Sequence, residues 1–301
     1  MGRFSEAVRL RYAGRLKLTG FLFVLPVVLY FALIYYFPLL KSFDLSLKEL
    51  LPKGQVQFAG LRTYGAVLGD PLFWTSVRNT TYFTFLSASL IIVSGLLISI
   101  ALHSQGPKLR DVYTVFYVLP TLVSFAAAGA IWQWIFHSHF GLANTMLSIL
   151  GLPNLKFFDS ASEVIPSLAV VNLWVRVGLS ILILLAGLQS IPDSYFEAAR
   201  VDGAGSLRMH LSITLPLLLP QIAVISLLEV IYGFKAFDTV YITTQGGPAG
   251  SSYMLLLYFY DNAFRFYRQD RASVVAVLMF LTLLFFSVLQ RRMIKGMRYE
   301  I

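Results

Sequence analysis

The sequence predicts an all-α integral membrane protein with six transmembrane helices. Three observations carry that prediction. Of 301 residues, 57% are hydrophobic and 13% charged, with a mean hydropathy of +0.72. An ordinary soluble domain carries about 25% charged residues. Six apolar runs have the length and composition of bilayer-crossing helices, for which ~20 residues are needed. Lys and Arg are denser in alternate connections between those runs, the pattern that sets membrane orientation.

The expected spans are Thr19–Phe37, Asn79–Leu102, Tyr113–Phe136, Ile165–Ala186, Leu215–Phe234 and Ala272–Leu289. The first follows Arg9, Arg11, Arg15 and Lys17, as a secretory signal would. Its apolar run is too long for a signal core. It leads into Tyr35, Tyr36 and Phe37, not into a small-residue cleavage site, so a retained anchor is expected. Residues 253–267 stand apart. Tyr253–Tyr260 is too short to span, and its density of Tyr and Phe suits an interfacial helix at headgroup level.

The expected organisation is therefore a cytoplasmic segment 1–18, one membrane domain 19–289 and a basic cytoplasmic tail 290–301. No repeat, low-complexity tract or linker marks a second domain. Orientation follows from Lys and Arg. Segments 1–18, 103–112, 187–214 and 290–301 hold 13 in 68 residues; segments 38–78, 137–164 and 235–271 hold 10 in 106. The denser set, with both termini and the 187–214 loop, is expected in the cytoplasm. Lys41 and Arg78 sit near span ends on the sparse side.

Composition also excludes functions. The formal charge is +9, but the basic residues flank apolar spans, which points to membrane lipid and not to nucleic acid. With no cysteine, disulfides, thiolate catalysis and cysteine-ligated zinc are excluded. His137-x-His139 lacks a third ligand and reads as interfacial, so no metal is expected. Asn79-Thr80-Thr81 fits a glycosylation sequon but opens a span. Arg291, Arg292, Lys295 and Arg298 read as a positive-inside anchor.

The loop 187–214 is unusual. A short helix can begin at Ser190 or Ile191, with Pro192 in its first turn and Asp193 at the positive end of the dipole. Glu197, Ala198, Ala199 and Arg200 continue it. Asp202-Gly203 ends it, since glycine accepts the left-handed conformation that closes a helix. Ser206 can cap a second short helix reaching Ser212, and Pro216 opens the next span. Ala198, Ala199, Gly203, Ala204 and Gly205 form a surface that another backbone can approach closely. On physical grounds alone, an ordinary interfacial loop fits as well as a docking element.

The order E-A-A, D-G-A, I-x-L-P is carried by Glu197, Ala198, Ala199, Asp202, Gly203, Ala204, Ile213, Leu215 and Pro216. In it the chain resembles the permease subunits of binding-protein-dependent ABC importers. Further motifs are similar to the carbohydrate, maltose-type branch. They include Phe58-Ala59-Gly60-Leu61 with Tyr64, Asp70-Pro71-x-Phe73, Asn79-Thr80 and Leu119-Pro120. They continue with Trp132-x-Trp134-x-Phe136, Gly141, Asn144 and Ala186-Gly187-Leu188-Gln189-x-Ile191-Pro192. Phe237-Asp238, Thr244, Gly246-Gly247-Pro248 and Tyr260-x-x-Ala263-Phe264 complete the set. The likeness covers about 58–290. His210 departs from it, standing where the family usually carries an aromatic.

The resemblance implies the type I importer permease architecture and a subunit with no engine and no cofactor of its own. It implies a second permease, usually non-identical, two ATPase subunits that hold ATP and Mg and grip the cytoplasmic loops, and an extracytoplasmic binding protein that delivers the solute. It implies an inner-membrane location. The sequence agrees in lacking a G-x-x-x-x-G-K-[ST] phosphate loop; Gly106-Pro107-Lys108 lacks the spacing. A self-sufficient channel or secondary transporter is the alternative, and broken or inverted repeat spans would favour it.

Polar residues inside spans are expensive and mark cavities or partners. Asn172, Arg176 and Ser180 share one face of the fourth span. Gln221, Glu229 and Tyr232 nearly share one face of the fifth. Trp132 and Gln133 lie deep in the third. Asn, Arg, Glu and an aromatic plate suit a sugar's hydroxyls and apolar ring face. Equally, Arg176 and Glu229 suit a structural ion pair or a contact to a partner permease. Measured from the expected outer span ends, Arg176 lies roughly 17 Å deep and Glu229 roughly 8 Å. On that count a direct pair needs both side chains to stretch.

Overall fold

The computed structural model describes residues 20–51 and 54–296, with side chains as far as Arg292. The basic segment 1–18, Thr19 and the tail beyond Gly296, Arg298 included, lie outside the described residues.

Helix α1, Gly20–Ser46, runs past the expected end at Phe37. One π turn, Ala32–Tyr36, precedes Pro38. A wider turn accommodates a ring that lacks an N–H. A two-stranded antiparallel ribbon follows, which the sequence reading did not foresee: β1, Lys48–Leu50, pairs β2, Val56–Phe58, with Lys48 opposite Phe58. Helix α2 is Arg62–Leu68.

Helix α3, Pro71–His103, is the longest element before the last third of the chain, at 33 residues. It begins eight residues before the expected Asn79 because Asp70 caps it. The Asp70 carboxylate accepts from the Leu72 N–H at 2.9 Å, and Pro71 fills the first helical position.

The third span is not one helix, which corrects the expectation of Tyr113–Phe136. Helices α4, Pro107–Leu122, and α5, Phe125–Ile135, meet at 100°. Pro120 removes a backbone donor, the last turn of α4 tightens to a 3-10 turn, and Val123 and Ser124 are extended. Ser124 then caps α5 by accepting from the Ala127 N–H at 3.3 Å. The Thr121 hydroxyl donates to the Val175 carbonyl at 2.9 Å and holds the bend in place.

The remaining elements are α6, Leu142–Ile149; α7, Val164–Gln189; α8, Asp193–Val201; α9, Ser206–Met209, carried by a π turn to Leu217; α10, Leu219–Phe234; α11, Asp238–Thr243; α12, Leu255–Tyr260 with a π turn to Arg265; and α13, Gln269–Gly296. Five of the described helices can cross a membrane, or six with the bent pair counted as one span.

Helix α7 is the central post. Seventeen of its 26 residues are buried. Small residues let neighbours approach it, the device that replaces hydrophobic pressure inside lipid. A Cβ on Gly95 of α3 would lie 3.2 Å from Ser180 Cβ. A Cβ on Gly178 would collide with the Tyr117 carbonyl oxygen and lie 2.8 Å from Val118 Cα.

The end of the molecule remote from α8 and α9, here the far end, is clasped by motif residues. Asn79 Nδ2 donates to the Gly250 and Tyr253 carbonyls at 2.9 and 3.2 Å, and the Leu255 N–H donates to Thr80 Oγ1 at 2.8 Å. Tyr258 donates to Asp70 at 2.8 Å. The expected interfacial helix is therefore docked in the protein: Leu255, Leu257 and Tyr258 are buried, and only its last residues, such as Phe264, Phe266 and Tyr267, are exposed. Its apolar side has α3 and α13 to cover it, so it needs no lipid there.

Candidate functional site

The hairpin of α8 and α9 is built by its own backbone. Pro192 is extended at the cap of α8; Asp193 lies in the first turn and Arg200 in the last, both matched to the helix dipole. At the other end Gly203 has φ +75°. Its N–H donates to the Arg200 carbonyl at 3.0 Å, and the Ala204 N–H donates to the Ala199 carbonyl at 2.8 Å. This paired closure satisfies carbonyls that the helix leaves open, and it requires the left-handed residue.

The expected helix–turn–helix is present, with three corrections. Helix α8 begins at Asp193 with the extended Pro192 as its cap, and not at Ser190 or Ile191. Gly205 occupies the cap of the second helix, so Ser206 is its first residue and not its cap. That helix does not stop at Ser212 but continues through the π turn, with His210 Nδ1 3.2 Å from Thr214 Oγ1. Helical hydrogen bonding carries the chain past His210 despite its departure from the family pattern.

Glu197, Ala198, Asp202 and Gly203 are exposed; Ala199, Ala204 and Pro216 are half-buried. Val201 is 88% and Leu207 74% exposed, so two large apolar side chains stand in the open on a polar hairpin. On the opposite face of α8, Phe196 packs with Ile191 into the apolar cluster around Leu184, Leu188 and Leu218. Phe196 was not singled out from sequence. Its signal was the amphipathic pattern of α8, in which Phe196 is partly buried while its aromatic neighbour Tyr195 is exposed.

Within the spans, α7 and α10 bring Arg176 and Glu229 together. Arg176 Nε lies 3.1 and 3.0 Å from the two Glu229 oxygens, and Nη2 lies 2.8 Å from Oε1. The side chains are only 6% and 3% exposed. The Arg176 guanidinium carbon sits 3.5 Å from the centroid of Tyr232, a cation–π contact. The depth count that disfavoured a direct pair is corrected. It took Phe234 as the end of the fifth span, whereas the apolar segment continues to Thr243. With that end, both residues lie roughly 20 Å down.

Asn172 and Tyr232 face a cavity of about 190 Å³ together with Phe83, Phe237, Lys235 and Asp238. Lys235 is absent from the sequence reading, and Asp238 enters it only as a motif residue and not as a cavity-lining one. Their signal was a pair of charges between Phe234 and the next apolar turn. The other expected pathway residues lie elsewhere. Trp132 packs edge-on to Trp174, with centroids 5.9 Å apart, and its indole nitrogen is buried without a partner among the described residues. Gln133 donates to the Thr243 carbonyl at 3.3 Å and faces a separate cavity. Both residues lie on α5, beyond the bend, and neither lines the Asn172–Tyr232 cavity. Ser180 is taken up at Gly95, and Gln221 packs at Gly187.

Among the described residues no group of three or more His, Asp or Glu side chains can hold a metal ion. His137 instead stacks on Phe140, with centroids 3.5 Å apart.

Residues 91–299 match the family described as the binding-protein-dependent transport system inner membrane component. The match covers α7, the hairpin and everything between the hairpin and Gly296. The chain belongs to that family. It is 34% identical to the sulfoquinovosyl glycerol transport system permease protein SmoG of Agrobacterium fabrum over 79% of this chain and 76% of that one. It is 30% identical to the arabinooligosaccharides transport system permease protein AraP of Bacillus subtilis, covering 92% and 88%. It is 31% identical to the trehalose/maltose transport system permease protein MalF of Thermococcus litoralis, covering 89% and 91%. Its fold matches a chain of a bacterial alginate ABC transporter in complex with an alginate pentasaccharide-bound periplasmic protein. That match has a TM-score of 0.80 at 21% identity, over 95% of this chain and 96% of the other.

As a permease of this family, the chain is a non-catalytic, inner-membrane pore subunit of an ABC importer. ATP hydrolysis belongs to partner ATPase chains, and a binding protein delivers the solute.

Proposed function

We propose that this subunit imports a sugar or related polyhydroxylated solute, paired with a second, non-identical permease. In this reading the termini and the α8–α9 hairpin are cytoplasmic, and the far end is external. The ATPases grip Glu197, Ala198, Ala199, Asp202, Gly203 and Ala204, with Pro216 fixing where the hairpin rejoins the membrane. Asn172 and Tyr232 line the solute path, while Arg176 and Glu229 stand behind Tyr232 and hold it in place. Trp132 and Gln133 border the path at its outer end.

One observation carries the coupling role. Helix α8 offers exposed apolar and polar groups on one side while Phe196 anchors its other side in the bundle. A pull on the exposed side is then transmitted to α7 and α10 through packed side chains. Support for the sugar class comes from the three permease relatives, each named for a sugar-containing solute.

The test is reconstitution with the ATPase and binding protein that co-purify from the native host. Sugar-stimulated ATP hydrolysis is expected in the wild-type assembly. Glu197→Lys and Gly203→Asp are expected to keep assembly and insertion yet lose that stimulation. Full transport by the lone chain would overturn the reading.

A further inference from the structure

A second cavity, of about 400 Å³, opens at the far end between α5, the turn Phe157–Asp159 and the segment after α11. It shares no lining residue with the Asn172–Tyr232 cavity. Its size falls within the ~300–1,000 Å³ range of small-molecule sites.

Its chemistry is specific. Gln133 spends its amide N–H on Thr243, so its Oε1 remains an open acceptor. His137 Nδ1 accepts from the His139 N–H at 3.3 Å, which places the ring proton on Nε2 and makes that nitrogen a donor. The Asp159 carboxylate is exposed and has no side-chain partner among the described residues. Phe136, Phe158 and Pro248 supply apolar walls. Phe136 is itself braced by stacking on Phe157, with centroids 4.3 Å apart. No Lys or Arg lines the cavity.

We propose that this cavity is an outer subsite for one ring of a neutral saccharide, built from Gln133, His137, Asp159 and the Phe136–Phe158 wall. Hydroxyls donate to the amide and carboxylate oxygens and accept from the imidazole. The C–H face of the ring packs on the aromatic wall. An acidic sugar is disfavoured, because its carboxylate meets Asp159 with no cation to offset it. The proposal rests on the sugar reading given above and adds to it a second station and a preference for uncharged rings.

The experiment is saturation-transfer NMR on the assembled importer in nanodiscs. The neutral probes are maltotriose, trehalose and arabinotriose; trigalacturonate is the acidic probe. At least one neutral probe is expected to receive saturation and trigalacturonate to receive none. Asp159→Ala and Gln133→Leu are each expected to lower the neutral signal at least fivefold, while Gly65→Ala, which lines neither cavity, leaves it unchanged. Asp159 is exposed and unbonded, so its variant tests recognition without disturbing the fold. Unchanged signal in both subsite variants, or equal binding of trigalacturonate, would overturn the subsite. If the isolated binding protein takes a neutral sugar and the importer does not, the subsite alone fails. If the binding protein rejects all of the sugars as well, the sugar reading fails and the subsite falls with it.

Discussion

Arg176 and Glu229 meet through a two-pronged buried contact, with Arg176 Nε shared between both carboxylate oxygens and Nη2 at 2.8 Å. The pair ties α7 to α10 in the middle of the bundle. A buried pair is weak evidence of net stabilisation, but breaking one strands a charge. Glu229→Ala is therefore expected to destabilise by about 3–5 kcal/mol. The double variant Arg176→Met, Glu229→Leu should recover most of that loss. Thermal unfolding of wild type, Arg176→Met, Glu229→Leu and the double variant in one detergent gives the cycle, and a double variant as unstable as the singles counts against the pairing.

Gly203 stands at φ +75° with nothing within 4 Å of an added Cβ. Strain, not collision, is the penalty for a side chain there, roughly 1–2 kcal/mol. Gly203→Asn should be better tolerated than Gly203→Val, since Asn visits the left-handed region more readily. The measurement is sugar-stimulated ATPase activity in the assembled importer. Equal loss in both variants would mean that contact area, not backbone shape, governs coupling.

Gly178 has no room for a methyl group, being pressed against Tyr117 and Val118. Gly178→Ala is expected to force α4 away from α7 and lower stability by about 1–3 kcal/mol, the usual range for overpacking. Gly65→Ala in α2 meets nothing within 4 Å and serves as the comparison. There a neutral or slightly stabilising result is expected.

Tyr258 joins the cap residue Asp70 to α12. Burial first, and then the hydrogen bond to Asp70, hold its phenol above the ordinary tyrosine range. Tyr253 is raised in the same way, by burial and then by Asp261. A raised folded value means the stabilisation is complete below the unfolded value of about 10 and is lost as pH climbs above it. Unfolding temperature should thus be flat with respect to these groups up to about pH 10. Tyr258→Phe should lower it at neutral pH by removing the link to Asp70, and a variant as stable as wild type would refute that link.

The absence of cysteine makes topology directly measurable. Ser206→Cys and Ser162→Cys place single thiols at exposed sites on the hairpin and the far end. Ser206→Cys is expected to react only from the cytoplasm and Ser162→Cys only from outside. Labelling of Ser206→Cys by an impermeant reagent in intact cells would place the hairpin out of any ATPase's reach.

Much of this was legible in sequence because lipid leaves few choices. Long apolar runs announce helices, and Gly203 announces its own turn. The cap at Asp70 and Pro71 is visible as a motif, but the two turns it adds to α3 lie outside the continuous apolar run. What sequence hid depends on three-dimensional neighbours. The bend at Val123–Ser124 needs α7 to receive Thr121. The burial of α12 needs α3 and α13 to cover it. The Arg176–Glu229 contact is hidden from composition, because the apolar run ends at Phe234 while α11 extends the fifth crossing to Thr243. That Trp132 and Gln133 lie apart from the Asn172–Tyr232 cavity needs the bend before α5, which the apolar run does not announce.

The elbow between α4 and α5 is fastened to α7 on both sides of Arg176, by Thr121 at Val175 and by the Tyr117 segment at Gly178. Two arms leave that fulcrum at a right angle. Any shift of the post is therefore handed to two differently directed helices through the same pair of fastenings.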